Sequence, residues 1–155
     1  MMARHLTRTL LMLPILLLVI TAVQADDGLV NLRSQYDVKQ TLDRFEAAAT
    51  AAGLKVFARI DHAKGAAAVG KSLRPTQLLI FGSPQLGTDL MSSDQRVGID
   101  LPLKALAWQD AEGMVWLSYT RPAYLLGRFG IEDRPQIEQK MSGALARFAK
   151  AATQP

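Results

Sequence analysis

Apolar positions recur along this chain in two rhythms, one of period two and one near three and a half, and their succession predicts the elements. "GLVNLRSQY" reads as a first strand. Asp37, with Gln40 three residues on, has the spacing of a capping box and opens a helix. Leu42, Phe45, Ala49 and Ala52 then fall near one helical face, and Gly53 supplies the stop. In "LKVFARIDH" strict alternation predicts a strand with Val56, Ala58, Ile60 and His62 on one face. Phe57, Arg59 and Asp61 take the other. "AKGAAAVGKSL" predicts a short helix ending near Gly70, capped by Asp61 or His62.

"TQLLIFG" is a continuous apolar run, as expected of a central strand. A turn through Ser83 and Pro84 leads to a short helix over residues 88–93, capped at Gly87 and Thr88. "LKALAWQ" and "MVWLSY" flank Asp110-Ala111-Glu112-Gly113, the pattern of a hairpin. Pro122 suits the first turn of another short helix. Asp133 and Gln136 repeat the capping-box spacing before a stripe of Ile137, Met141, Ala144, Leu145 and Phe148. Strands and helices do not alternate strictly, so the expected class is α+β. It is a two-layer fold, a mainly antiparallel sheet with two long helices on one face.

The first residues change the picture of where this fold resides. Arg4 and Arg8 precede an uncharged apolar run from Leu10 to Val23, and Val23 and Ala25 occupy the small-residue positions of a cleavage site. That order predicts a secretory signal peptide over residues 1–25, cut after Ala25, and an exported, periplasmic protein. The run is shorter than the roughly 20 residues a spanning helix needs, so no membrane span is expected after cleavage. Cleavage takes 25 of the 155 residues and leaves 130, the size of one domain, residues 26–155. Removing Arg4 and Arg8 leaves 16 basic against 14 acidic residues, interspersed and without a basic block. The electrostatic footprint of a nucleic-acid binder is missing from that pattern. There is no cysteine, which excludes disulfides and cysteine-ligated zinc.

Candidate chemistry is sparse. Gly82-x-x-x-x-Gly87 has the glycine spacing of a nucleotide-binding loop, but Thr88 stands where its lysine belongs and Asp89 follows. Pro84 also lacks an N–H to aim at a phosphate, so the stretch reads as a strand-to-helix turn. Asp61 and His62 are adjacent and point to opposite faces of a strand, so they do not form a dyad with each other. His62 remains the weak catalytic candidate, with Asp100 or Tyr119 as a partner from elsewhere in the chain. Met91, Met114 and Met141 could join it as soft ligands, but core packing accounts for them better, and no metal or cofactor is expected. Trp108 and Trp116 read as core, or as the floor of a pocket.

Taken in order, Asp61-His62-Ala63, Leu73-Arg74-Pro75-Thr76, Phe81-Gly82-x-Pro84-x-x-Gly87-Thr88, Asp100-Leu101-Pro102-Leu103 and the strand from Gly113 to Tyr119 resemble the domain of unknown function 302 family. The resemblance runs from about Gly28 to Phe148. It implies a compact sheet with two helices on one face and, by similarity to folded members, a homodimer. It implies no reaction. Ser83 departs from the family pattern, which often has Asn there. The expected function is therefore a non-catalytic small-ligand-binding module. Its site would draw on polar or backbone-special residues at strand ends: Asp61, His62, Gly82, Ser83, Pro84, Gly87, Asp100 and Tyr119. A homodimeric interaction module and a His62-dependent enzyme are the alternatives.

Overall fold

The computed structural model describes residues 26–155; the expected signal segment and its cleavage site lie outside the described residues. Strand β1 (Leu29–Ser34) leads to helix α1 (Val38–Ala51), then β2 (Lys55–Asp61), α2 (His62–Ala68) and β3 (Thr76–Gly82). Helix α3 (Pro84–Ser93) and a 3-10 turn (Gln95–Ile99) precede the hairpin β4 (Leu103–Gln109) and β5 (Val115–Thr120). Helices α4 (Pro122–Arg128) and α5 (Pro135–Thr153) complete the chain.

The five strands form one sheet in the order β1-β5-β4-β3-β2, every neighbouring pair antiparallel. β1 and β2 occupy opposite edges, so α1 crosses the sheet between them and α5 lies beside it on the same face. This is the expected two-layer α+β architecture. Asp37 caps α1, its carboxylate accepting from Gln40 N at 2.7 Å, and Gly53 ends the helix at φ +80°. The core forms where the two helices meet β3, β4 and β5. Phe45 is fully buried there, with its ring edge-on to Phe81 at 5.1 Å and to Phe148 at 5.9 Å. Ala49, Ala105 and Ala107, all fully buried, keep this contact flat. A second apolar cluster of Leu90, Val97, Leu125, Leu126, Ile131 and Met141 ties α3 and α4 to the first half of α5.

Three local expectations are corrected. First, the register of β2 against β3 shifts between Val56 and Ala58, so Phe57 is an extra residue. This bulge breaks the alternation: Val56 pairs with core Phe81, while Arg59 pairs with core Leu79. Val56, Arg59 and Asp61 thus share the helix side, and Ala58 and Ile60 the other. Second, α3 begins at Pro84, four residues earlier than expected. Ser83 is its cap, accepting from Leu86 N at 3.4 Å, and Pro84 occupies the first turn, where a missing N–H costs nothing. Third, Asp133 does not cap α5. It accepts from Ser93 Oγ at 2.9 Å, and Arg134 takes the cap position without a side-chain bond.

Candidate functional site

β3 ends at Gly82, and the chain turns directly into α3. A cleft of about 410 Å³ opens between α5 and the first turns of that helix. Gly82, Ser83, Pro84 and Gly87 form one wall. Leu90 and Met91 of α3, Leu101 and Pro102 before β4, and Met141, Ala144 and Phe148 of α5 form the rest. The bulge at Phe57 contributes as well: its ring, 45% exposed, lines the mouth of the cleft. Gly82 is buried there, and a Cβ at this position would stand 3.7 Å from Pro102 Cβ and 4.0 Å from the Phe57 ring. Ser83 fills its role through its hydroxyl acceptor, and Asn is an equally strong helix cap, so the departure from Asn preserves the cap.

Among the described residues lining this cleft only Lys140 and Arg147 carry charge, and both are exposed at its rim on α5. Neither forms an ion pair among the described residues. Sequence reasoning missed both, together with Phe57 and Leu101. The signal was present in part, because Lys140, Ala144 and Arg147 follow helical spacing beside the apolar stripe of α5.

A second cleft of about 460 Å³ lies beside the first, on the far side of Leu103 and Leu145, which line both. It receives Asp100 and Tyr119. Asp100 accepts from Arg128 Nη1 at 2.7 Å, and Lys104 Nζ donates to the carbonyl oxygens of Asp100 and Pro102. Tyr119 is 7% exposed, and its burial among apolar neighbours pushes the phenol pKa up. Its hydroxyl has no protein partner among the described residues and reaches this cleft. Gly28, next to the lining residue Asp27, sits at φ +71° against Tyr124, which also lines this cleft. A Cβ there would stand 2.2 Å from the Tyr124 ring, which only glycine avoids.

Asp61 and His62 belong to neither cleft. Lys55, at the start of β2, pairs with Gly82, whereas Asp61 at its end pairs with Gln77. Six strand steps put Asp61 about 20 Å from the Gly82 end. Asp61 caps α2 through Lys64 N at 2.9 Å and accepts from Gln77 Nε2 at 3.2 Å. His62 is exposed at the start of that helix, and no hydrogen bond or ion pair joins it to Asp61, Asp100 or Tyr119 among the described residues. Met91 and Met141 line the first cleft, at the opposite end of the sheet from His62. Among the described residues no three His, Cys, Asp or Glu side chains converge on one point.

Trp108 and Trp116 are neither core nor pocket floor. They stack at 6.4 Å on the sheet face away from α1 and α5, outside both apolar clusters and both clefts. Their indole N–H groups donate to Ser118 Oγ at 2.8 Å and Asp110 Oδ2 at 2.7 Å.

Similar proteins support the architecture. An uncharacterized conserved protein DUF302 from Bacillus stearothermophilus, known from a crystal structure, matches with a TM-score of 0.73. The match covers 82% of this chain and 99% of that one at 18% identity, a likeness of fold. Among curated proteins, two named Fluoride-specific ion channel FluC 1, from Brucella suis and Brucella abortus, are 46% identical over 120 residues. The match takes in 76% of this chain but only 47% and 44% of theirs, so the chain spans about half the length of these relatives. Among the described residues no helix is long and apolar enough to cross a membrane. The family model for the domain of unknown function DUF302 matches residues 30–148, and the chain belongs to that family.

Proposed function

We propose that this chain is an exported, non-catalytic module that binds a small, largely apolar molecule in the cleft between α3 and α5. One observation carries the reading: a cleft of about 410 Å³ whose walls are apolar apart from the Ser83 and Thr88 hydroxyls and two rim cations. That volume falls within the roughly 300–1,000 Å³ of ligand pockets, which pair apolar walls with few polar groups. Four of the eight candidate residues, Gly82, Ser83, Pro84 and Gly87, lie on its wall. Export rests on the basic, apolar and small-residue order of the first 25 residues.

The test is titration of the full chain with an uncharged apolar fluorophore, N-phenyl-1-naphthylamine. Saturable 1:1 binding is expected, and Ala144→Trp, which fills the cleft from α5, should abolish it. Gly87→Leu fills it from α3 while improving helix propensity, so it keeps the test sound if the tryptophan variant misfolds. Equal binding by the wild type and both folded variants would sink the reading.

A second reading, self-association, is favoured by the uncovered sheet face. Asn31, Ser118, Leu106, Leu78 and Ile60 form a row across it without charge, a stripe a second copy would cover between the flanking Arg33 and Lys104 side chains of the same face. Sedimentation velocity over a concentration series tests it. Leu106→Lys should render any dimer monomeric, and a monomer at every concentration rules the reading out.

A further inference from the structure

The cleft between α3 and α5 has an electrostatic polarity that its apolar volume does not require. Lys140 and Arg147 lie two turns apart on α5, about 10 Å along the axis. The Arg147 side chain folds back toward Lys140: its Nη1 stands 3.6 Å from where a Cβ on Gly143 would be, one turn nearer. Both cations border the same opening, and among the described residues no carboxylate lines it and no ion pair neutralises either. On the opposite wall is the N-terminal end of α3, whose peptide dipoles add to the positive potential. Long basic side chains commonly lay their stems on apolar surface, but two unpaired heads of one sign at one opening also select a charge.

We propose that the cleft takes a single-chain anionic amphiphile, its hydrocarbon between α3 and α5 and its anionic head between Lys140 and Arg147. This deepens the binding reading above and rests on it. The chain would pack against Phe57, Leu90, Met91, Leu101 and Met141, which offer no hydrogen bond to a polar substituent. A carboxylate head would remain at the rim, where both side chains are exposed and can follow it. Monomeric fatty-acid-like carboxylates and anionic lipids in a bilayer share this chemistry, and the geometry favours the monomer. A cleft between two helices encloses one chain, whereas a bilayer surface meets only the rim.

The experiment is calorimetric titration of the full chain with dodecanoate, dodecanol and dodecyltrimethylammonium, each below its micellar concentration. Dodecanoate should bind about tenfold more tightly than dodecanol, as expected for two exposed charge pairs, and the cation should bind most weakly. The advantage should shrink as salt is raised. In Lys140→Gln/Arg147→Gln the two affinities should converge within about twofold with dodecanol unchanged, whereas Lys140→Arg/Arg147→Lys should keep the preference. Equal affinity for acid and alcohol in the wild type overturns the head-group assignment and leaves the apolar cleft standing. No binding of any of the three overturns both. Co-sedimentation with vesicles containing phosphatidylglycerol, without binding of monomeric dodecanoate, also overturns it, because that outcome places the cations on a membrane surface.

Discussion

Arg59 on β2 reaches across to Asp43 on α1, and it does so because of a residue two positions earlier. The bulge at Phe57 turns Arg59 to the helix side of the sheet, where its guanidinium meets Asp43, Glu46 and the Gln77 side chain. Asp43 also accepts from Lys39 at 2.7 Å. That bond, followed by the one from Arg59, holds its carboxyl below the ordinary carboxylate range. The group is 41% exposed, so solvent screens the pair heavily. Arg59→Met, which keeps the aliphatic stem, should cost no more than about 1 kcal/mol in urea unfolding. A double-mutant cycle with Asp43→Asn should recover a coupling of the same size or smaller.

The bulge also predicts a separation of binding from stability. Phe57 is 45% exposed at the mouth of the cleft, with Lys55 Nζ 5.2 Å from its ring centroid. Phe57→Ala should leave the unfolding free energy within about 0.5 kcal/mol of the wild type. It should weaken N-phenyl-1-naphthylamine several-fold, since a lining aromatic is lost. Parallel urea melts and fluorophore titrations check both halves.

Phe45 predicts the opposite. It is fully buried at the junction of α1, β3 and α5, edge-on to two other rings. Phe45→Ala should cost about 3–5 kcal/mol, enough to leave a marginal domain partly unfolded. Chemical denaturation monitored by far-UV circular dichroism reads this directly.

The long helices, the hairpin and the buried central strand were legible because each has a period that survives burial: Leu42, Phe45 and Ala49 at helical spacing, Leu79 and Phe81 alternating within an apolar run. The face of β2 was not, since Val56, Ala58 and Ile60 continue an apolar alternation straight through the bulge. The candidate site suffered from a subtler ambiguity. Asp61 and Gly82 both end strands, but β2 and β3 are antiparallel, so their C-terminal ends lie at opposite ends of the sheet. Asp100 precedes β4 and Tyr119 lies near the end of β5, which brings both to the Gly82 end. Cleft walls and core also look alike in sequence: Met141 and Leu90 are buried members of an apolar cluster and line the cleft as well.

Asp110 organises the hairpin between β4 and β5, which the spacing of turn residues anticipated without its contacts. Its carboxylate accepts from Trp116 Nε1 at 2.7 Å, Met114 N at 2.8 Å and Glu112 N at 3.1 Å. The indole bond foremost, and the two backbone bonds after it, hold its pKa below the usual value. A carboxyl whose folded pKa is depressed stabilises the fold above its unfolded pKa, near 4, and that contribution is lost as pH falls through the lower folded value. Asp110→Ala should therefore lower the thermal midpoint at pH 7 and narrow the gap between midpoints at pH 7 and pH 3. A gap as wide as the wild type's would show that other carboxyls govern the acid limb.

Tyr119 contributes to the alkaline limb. Burial raises its phenol pKa above 10.0, so the unfolded chain ionises first as pH climbs. The sign follows from proton binding: below about pH 10 both states keep the proton and nothing is lost. Above it the folded state holds a proton the unfolded state has released, and stability declines until the raised pKa is passed. Tyr119→Phe keeps the ring against its apolar neighbours and removes only a hydroxyl without a partner among the described residues, so stability at pH 7 should change by less than about 1 kcal/mol. Between pH 9 and 11 the variant's thermal midpoint should fall less steeply than the wild type's. Parallel slopes over that interval would mean that the second cleft hydrates the phenolate well enough to cancel the cost of burial.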